Sequence, residues 1–195
     1  RSRHTINGQG KRPRNSIINS PFNPIILSME KKKTSKSSFS EKMCSSFTEA
    51  AKLRSYRLKS PTSSQRDAHV DFVMLGLNKD GKTTSVLMDV KVWNSNSSDK
   101  WQWIEFKNAN GKPGWIYQDS DFVVFERKND FLIVNRKNLV TWVNVTPKIR
   151  HDMPIVQKPW QAKYRLYSRS NKKELITQIT AQDLLDIKGT QLWKK

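Results

Sequence analysis

The chain is poor in the residues that build covalent frameworks and metal cages. Its 195 residues include one cysteine, Cys44, and three histidines, His4, His69 and His151. One cysteine excludes a disulfide framework and a cysteine-built zinc site. Three scattered histidines exclude most histidine cages. Seven glycines and eight prolines exclude collagen-like and linker-like chains. There is no Gly-rich nucleotide loop, and no Ser/His/Asp spacing of a nucleophilic triad. No apolar run approaches the roughly 18 residues that span a bilayer, which excludes a membrane-spanning helix. Acids are scarce as well, with 17 Asp and Glu against 36 Lys and Arg.

What remains is a basic chain with enough apolar material, 35% of residues, for one core. Its net charge is +19 and its pI about 10.2. Such a balance points to a polyanion, of which nucleic acid is the commonest; an acidic membrane surface or mere solubility are the blander readings. The charge is uneven. Residues 1–38 hold nine Lys and Arg, including Lys31, Lys32 and Lys33, and one acid, Glu30, among many Ser and Asn. They read as a basic flexible arm. It carries +8, which leaves +11 of the +19 for a body at 39–195. Residues 1–28 lack acids, as transit peptides do, and Met29 is an alternative start; native segment, transit segment and leader all stay open.

Within the body, Ser40 is a plausible N-cap for a helix over 41–57, with Met43, Phe47, Ala50 and Ala51 on one face. Residues 60–64 read as a loop. Strands are expected over 70–77 and 83–93, joined at Asn78-Lys79-Asp80-Gly81, and over 101–106, 115–126 and 131–136. A helix over 137–145, strands over 163–168 and 174–179, and a helix over 181–187 complete the order. Thr180 with Asp183 marks a capping box for the last helix. The sum is an α/β chain of the α+β kind, a central mixed sheet flanked by helices.

Charged residues interrupt two of these strands. Asp71 stands in His69-Val70-Asp71-Phe72-Val73, and Asp89 and Lys91 stand in Leu87-Met88-Asp89-Val90-Lys91-Val92. A charge buried unpaired in such a strand is costly. Residues two apart share a strand face, so Asp89 and Lys91 point the same way. A hairpin turning about residue 80 sets Asp71 opposite Asp89. Opposed carboxylates repel, and a divalent cation between them removes the conflict. Mg²⁺ takes one or two carboxylates, and the Val90 carbonyl is a third candidate ligand. Lys91 beside it would orient water and offset phosphate charge, which is equipment for phosphodiester hydrolysis. The tripeptide D/E-x-K alone carries little weight, because six occur here: at Glu30, Asp80, Asp89, Glu105, Glu126 and Asp186. The bland alternative is an Asp89–Lys91 ion pair at a sheet edge. Glu105-Phe106-Lys107 is the rival site, with Glu105 pairing with Asp89 or serving as a third acid.

A helix, then Asp on a strand, then D-x-K on the next strand resembles the PD-(D/E)xK nuclease superfamily. The layout over residues 41–145 is similar to phage and bacterial Holliday-junction resolvase-like members, and the stretches Trp101–Asn108, 114–117 and 121–126 look like phage-borne members of that kind. The resemblance implies a restriction-endonuclease-like core and Mg²⁺, with Mn²⁺ as substitute, held by Asp71 and Asp89. Lys91 would assist the attacking water. It also implies a DNA substrate, branched DNA by preference, an intracellular setting in cytoplasm or nucleoid, and a homodimer where two strands are cut. The sequence departs from the pattern in having Val70 where Pro often precedes the first Asp, and Asp89 where Glu is more frequent. Many members carry a helix Glu; Glu49 is the candidate, although it points away from the apolar helix face. The other reading is a non-catalytic nucleic-acid-binding or phage-particle-associated protein on the same scaffold.

Seven tryptophans are many for this length. Trp101, next to Lys100 and across it from Asp99, amid the basic residues Lys100, Lys107 and Lys112, is the best candidate to stack on bases. Trp103 and Trp115 are expected in the core. Cys44 and the histidines read as structural, with His69 two residues from Asp71.

Overall fold

The computed structural model describes residues 45–78, 80–93 and 98–195. The basic arm at 1–38, with Lys31, Lys32 and Lys33, lies outside the described residues, as do Ser40, Met43 and Cys44.

The architecture is α+β. Strands β1 (Arg57–Lys59), β2 (Phe72–Leu77) and β3 (Thr83–Lys91) run antiparallel in turn. The β2–β3 turn is held by Asn78, whose side-chain oxygen accepts the N–H groups of Asp80 and Lys82 at 3.0 and 2.9 Å. Gly81 supplies the left-handed residue there, with φ +73°. Strand β5 (Phe122–Glu126) pairs with β3 in parallel; β6 (Asp130–Asn135) and β8 (Gln191–Lys194) follow antiparallel. The sheet order is β1-β2-β3-β5-β6-β8. Strands β4 (Trp101–Lys107) and β7 (Leu175–Thr180) form a separate antiparallel pair.

Strands β5 and β6 are almost continuously buried, FVVFE and DFLIV, because both faces of the sheet are covered there. On one face lies helix α1 (Ser45–Leu53), where Phe47, Ala50 and Ala51 meet Phe72, Met88, Val124, Phe131 and Trp193. On the other, Val123, Phe125, Leu132 and Val134 pack against Ile104 and Phe106 of β4, Trp115 and Ile116, and Leu139 and Val143 of the helix Arg136–Val145. The helix Ala181–Asp186 adds Leu184 to that core. Alternation on β3 therefore sends Val86, Met88 and Val90 to the α1 face, and Leu87, Asp89 and Lys91 to the opposite one.

Several expected elements are redrawn. The first helix ends at Leu53, because Ser55 is left-handed (φ +59°) and Tyr56 turns out to stack on Trp193 at 5.4 Å. Part of the 60–64 loop is a short helix, Ser63–Asp67, started by a Thr62–Gln65 capping box. The 115–126 strand splits into a 3-10 turn, Trp115–Tyr117, and β5. Between them the Arg136 guanidinium binds the carbonyls of Ile116 and Ser120, drawing them from any ladder. The 163–168 strand survives only as isolated bridges, of Lys163 to Gln178, Arg165 to Arg150, and Tyr167 to Val156 and Ile176, since Tyr164 sits at φ +56°. The Thr180–Asp183 capping box forms as expected. No helix of the described residues is long and apolar enough to cross a membrane.

Candidate active site

The hairpin register brings the two aspartates together. Phe72 lies opposite Met88, so Asp71 and Asp89 are the next facing positions, as the turn predicts. Asp71 stands just before β2. Its N–H donates to the Met88 carbonyl at 2.8 Å, and its Oδ2 accepts the Val90 N–H at 2.7 Å. The Asp71 side chain thus continues the ladder where the β2 backbone stops. The N–H and C=O of one strand residue point to the same edge, so the Val90 carbonyl faces the Asp71 side.

Asp89 is 2% exposed. Lys91 Nζ lies 2.7 Å from Asp89 Oδ2, yet Oδ2 has no partner of hydrogen-bonding geometry. Lys91 answers that oxygen by charge at close range, without the alignment of a hydrogen bond. Burial pushes the Asp89 carboxyl up from 3.8 to about 6; Lys91 pulls it down, Asp71 pushes it further up, and His69 lowers it. The structure therefore has the repulsion expected of two opposed acids, with one ammonium and one backbone N–H to answer it.

Lys91 is set from its other side by an aromatic ring. Its Nζ lies 4.4 Å from the centroid of Trp115, a favourable cation–π distance. The Trp115 backbone N–H donates to Glu105 Oε1 at 3.2 Å. Gly114 makes this approach feasible: a Cβ there would sit 2.2 Å from the Glu105 carbonyl oxygen. The seat of Lys91 is thus built by the β3–β5 crossover, which passes through β4 and the 3-10 turn instead of the usual helix. No local pattern signals this, because Trp115 and Lys91 meet only after the crossover folds back.

The other expected acids are placed elsewhere. Glu49 is exposed on α1 and pairs with Lys52, on the opposite side of the sheet from Asp89. Glu105 does not face Asp89 across a ladder, because β4 pairs with β7. Among the described residues no group of three metal-ligating side chains forms; neither Glu49 nor Glu105 completes a triad with Asp71 and Asp89. Glu126 is buried, accepting from Ser46, from the Trp93 backbone N–H at 2.9 Å and from Lys195 at 2.7 Å. His69 is exposed in a left-handed conformation. Asp121, unremarked in the sequence, exchanges bonds with Leu87 through backbone and Oδ2, both at 2.8 Å, and so anchors β5 beside β3.

Trp101 and Lys107 share the outer side of β4 with Trp103, and Lys100, exposed just before the strand, has its Nζ 6.0 Å from the Trp101 ring. Trp115 is core, as expected, but Trp103 is 38% exposed. Strand alternation decides this, since the inward positions of β4 are taken by Ile104 and Phe106.

Two carboxylates, one with a buried oxygen lacking an aligned partner, together with a neighbouring carbonyl, suit a hard divalent cation. A lysine at the rim suits a phosphate. Against known proteins, no family model matches the sequence, no curated protein matches it, and no solved structure matches its fold.

Proposed function

We propose that the chain is a metal-dependent endodeoxyribonuclease of the PD-(D/E)xK kind. The observation that carries the reading is the hairpin register: Asp71 faces Asp89, Asp71 grips the Val90 N–H, and Lys91 follows on the Asp89 face. Asp71, Asp89 and the Val90 carbonyl would hold Mg²⁺ or Mn²⁺. The metal, when bound, would offset phosphate charge and acidify a water.

The chain's own residues do the rest. Asp71, with one oxygen on the Val90 N–H, holds the β3 edge in place. Lys91, poised between Asp89 and the Trp115 ring, can leave the Asp89 oxygen and donate to the attacking water or to a non-bridging phosphate oxygen. The water gives up a proton to solvent as it attacks phosphorus in line; one P–O bond forms, the opposite P–O bond breaks, and the departing oxygen takes a proton from solvent. The basic surface would gather the DNA. Branched DNA as preferred substrate, and a homodimer to cut two strands, follow from the resemblance.

A second reading keeps the fold and discards the reaction: a non-catalytic nucleic-acid-binding or phage-particle protein. Lys91 already compensating Asp89 favours it. Incubating supercoiled plasmid and a four-way junction with Mg²⁺, Mn²⁺ or chelator separates the two. The nuclease should cut only with metal, and Asp89→Asn or Lys91→Ala should slow cutting by about a hundred-fold or more while binding survives. Cutting indifferent to both substitutions would remove the site assignment; tight binding without any cutting would leave the scaffold reading.

A further inference from the structure

We propose that the outer face of the β4–β7 pair is a stacking platform for unpaired DNA bases, a substrate-class statement that takes DNA as the ligand from the nuclease reading. Ile104 and Phe106 turn inward, so Trp101 and Trp103 turn out. Each indole is propped by a tyrosine: Trp101 meets Tyr164 edge-on at 5.5 Å, and Trp103 meets Tyr167 at 6.1 Å. Tyr164 is itself fixed through its hydroxyl to Asp183 and Thr180. The rings are therefore held before any ligand arrives.

Cations flank them. Lys163 Nζ lies 5.1 Å and Lys100 Nζ 6.0 Å from the Trp101 ring, and Lys107 is exposed at the far end of the strand. Among the described residues no carboxylate pairs with any of these three lysines. An exposed indole, Trp103, and a half-buried one, Trp101, beside uncompensated ammonium groups match a ligand with flat apolar faces and regular negative charge. The spacing narrows the choice. Residues two apart on a strand are roughly 6.6 Å apart, about twice the 3.4 Å rise of stacked bases in one strand of a duplex. The pair of indoles suits bases drawn apart, not bases in a helix. The platform also leads towards the candidate site, because the next outward residue, Glu105, holds the Trp115 backbone N–H and the Trp115 ring meets Lys91.

The test is fluorescence anisotropy of the full chain in chelator, so that no cleavage is needed. The probes are labelled oligothymidylate and an abasic strand of the same length and charge. The wild-type protein should prefer oligothymidylate. Trp103→Ala should weaken that binding by about five-fold or more and leave the abasic strand unchanged, with circular dichroism confirming the fold; Lys163→Ala should weaken both. Equal wild-type affinity for the two strands would overturn the proposal even if the variant failed to fold, and so would an equal loss of both in folded Trp103→Ala. Neither result depends on whether the protein cuts DNA.

Discussion

Asp89 carries the largest conflict between burial and charge among the described carboxylates, and the conflict has a pH signature. Its folded form holds a proton up to about pH 6, whereas an unfolded aspartate releases it near 3.8. The folded state therefore binds more protons than the unfolded one across this window, and stability falls as pH rises through it. Above about pH 6 the full cost, about 3 kcal/mol at 1.36 kcal/mol per unit, persists. Thermal melts from about pH 4 to about pH 7 should show this slope in the wild type and a flatter curve in Asp89→Asn; equal slopes would place the raised carboxyl elsewhere. At neutral pH, Mg²⁺ should raise the melting temperature of the wild type and not of Asp89→Asn. Glu126 behaves oppositely. Burial pushes it up, but bonds from Lys195, Ser46 and the Trp93 N–H outweigh burial and hold it below 4.5. Its stabilisation is present above the unfolded value and is lost as pH falls through the folded one. Glu126→Gln should cost about 1–3 kcal/mol in denaturant melts near neutrality and little at strongly acid pH.

At the scale of elements, the joint between α1 and β8 is the most exposed to a single change. Trp193 stacks on Phe47 at 6.0 Å and on Tyr56 at 5.4 Å, with the Arg54 guanidinium 4.8 Å over its ring. Arg54 also reaches the Lys194 carbonyl at 2.8 Å. Trp193→Ala should destabilise by about 3–5 kcal/mol, and amide exchange should quicken first in α1; unchanged α1 protection would contradict this. None of this joint was legible in the sequence. Four residues of β8 carry no alternation distinct enough to announce a strand, and Tyr56 hides at the end of a helical pattern. The β2–β3 hairpin was legible down to its register, because the Asn78–Gly81 turn and the apolar alternation agree locally. The seat of Lys91 on Trp115 was not, since those residues are brought together by a crossover whose course local pattern does not encode. Trp103 was misassigned to the core because its type was weighed above its position two residues from Trp101 on the outward side.

At the scale of the molecule, the excess of +19 is carried by cations outside the buried ion pairs. Asp89, Glu126, Asp130, Glu174 and Asp183 are buried, each against its own cation. Each such pair cancels internally, so the net excess of +19 rests on the remaining cations. Binding to duplex DNA should weaken by roughly three decades or more between about 50 and about 200 mM salt if six or so phosphate contacts form. A flat salt dependence would argue against the polyanion reading. The α+β class followed from the order of patterns, while the division into two sheets did not, because β4 and β7 find each other across about seventy residues of chain.

The stacking of Trp193 between Phe47 and Tyr56 also sets a timetable for synthesis. The helix near the start of the described chain cannot complete its packing until the ribosome has made residue 193 and released it from the exit tunnel. Until then the faces of Phe47, Phe72 and Phe131 stand open to water and to chaperones. The hairpin bearing Asp71 and Asp89 would thus be made long before the layer that buries its underside, and this layer should close only once residue 193 has left the tunnel.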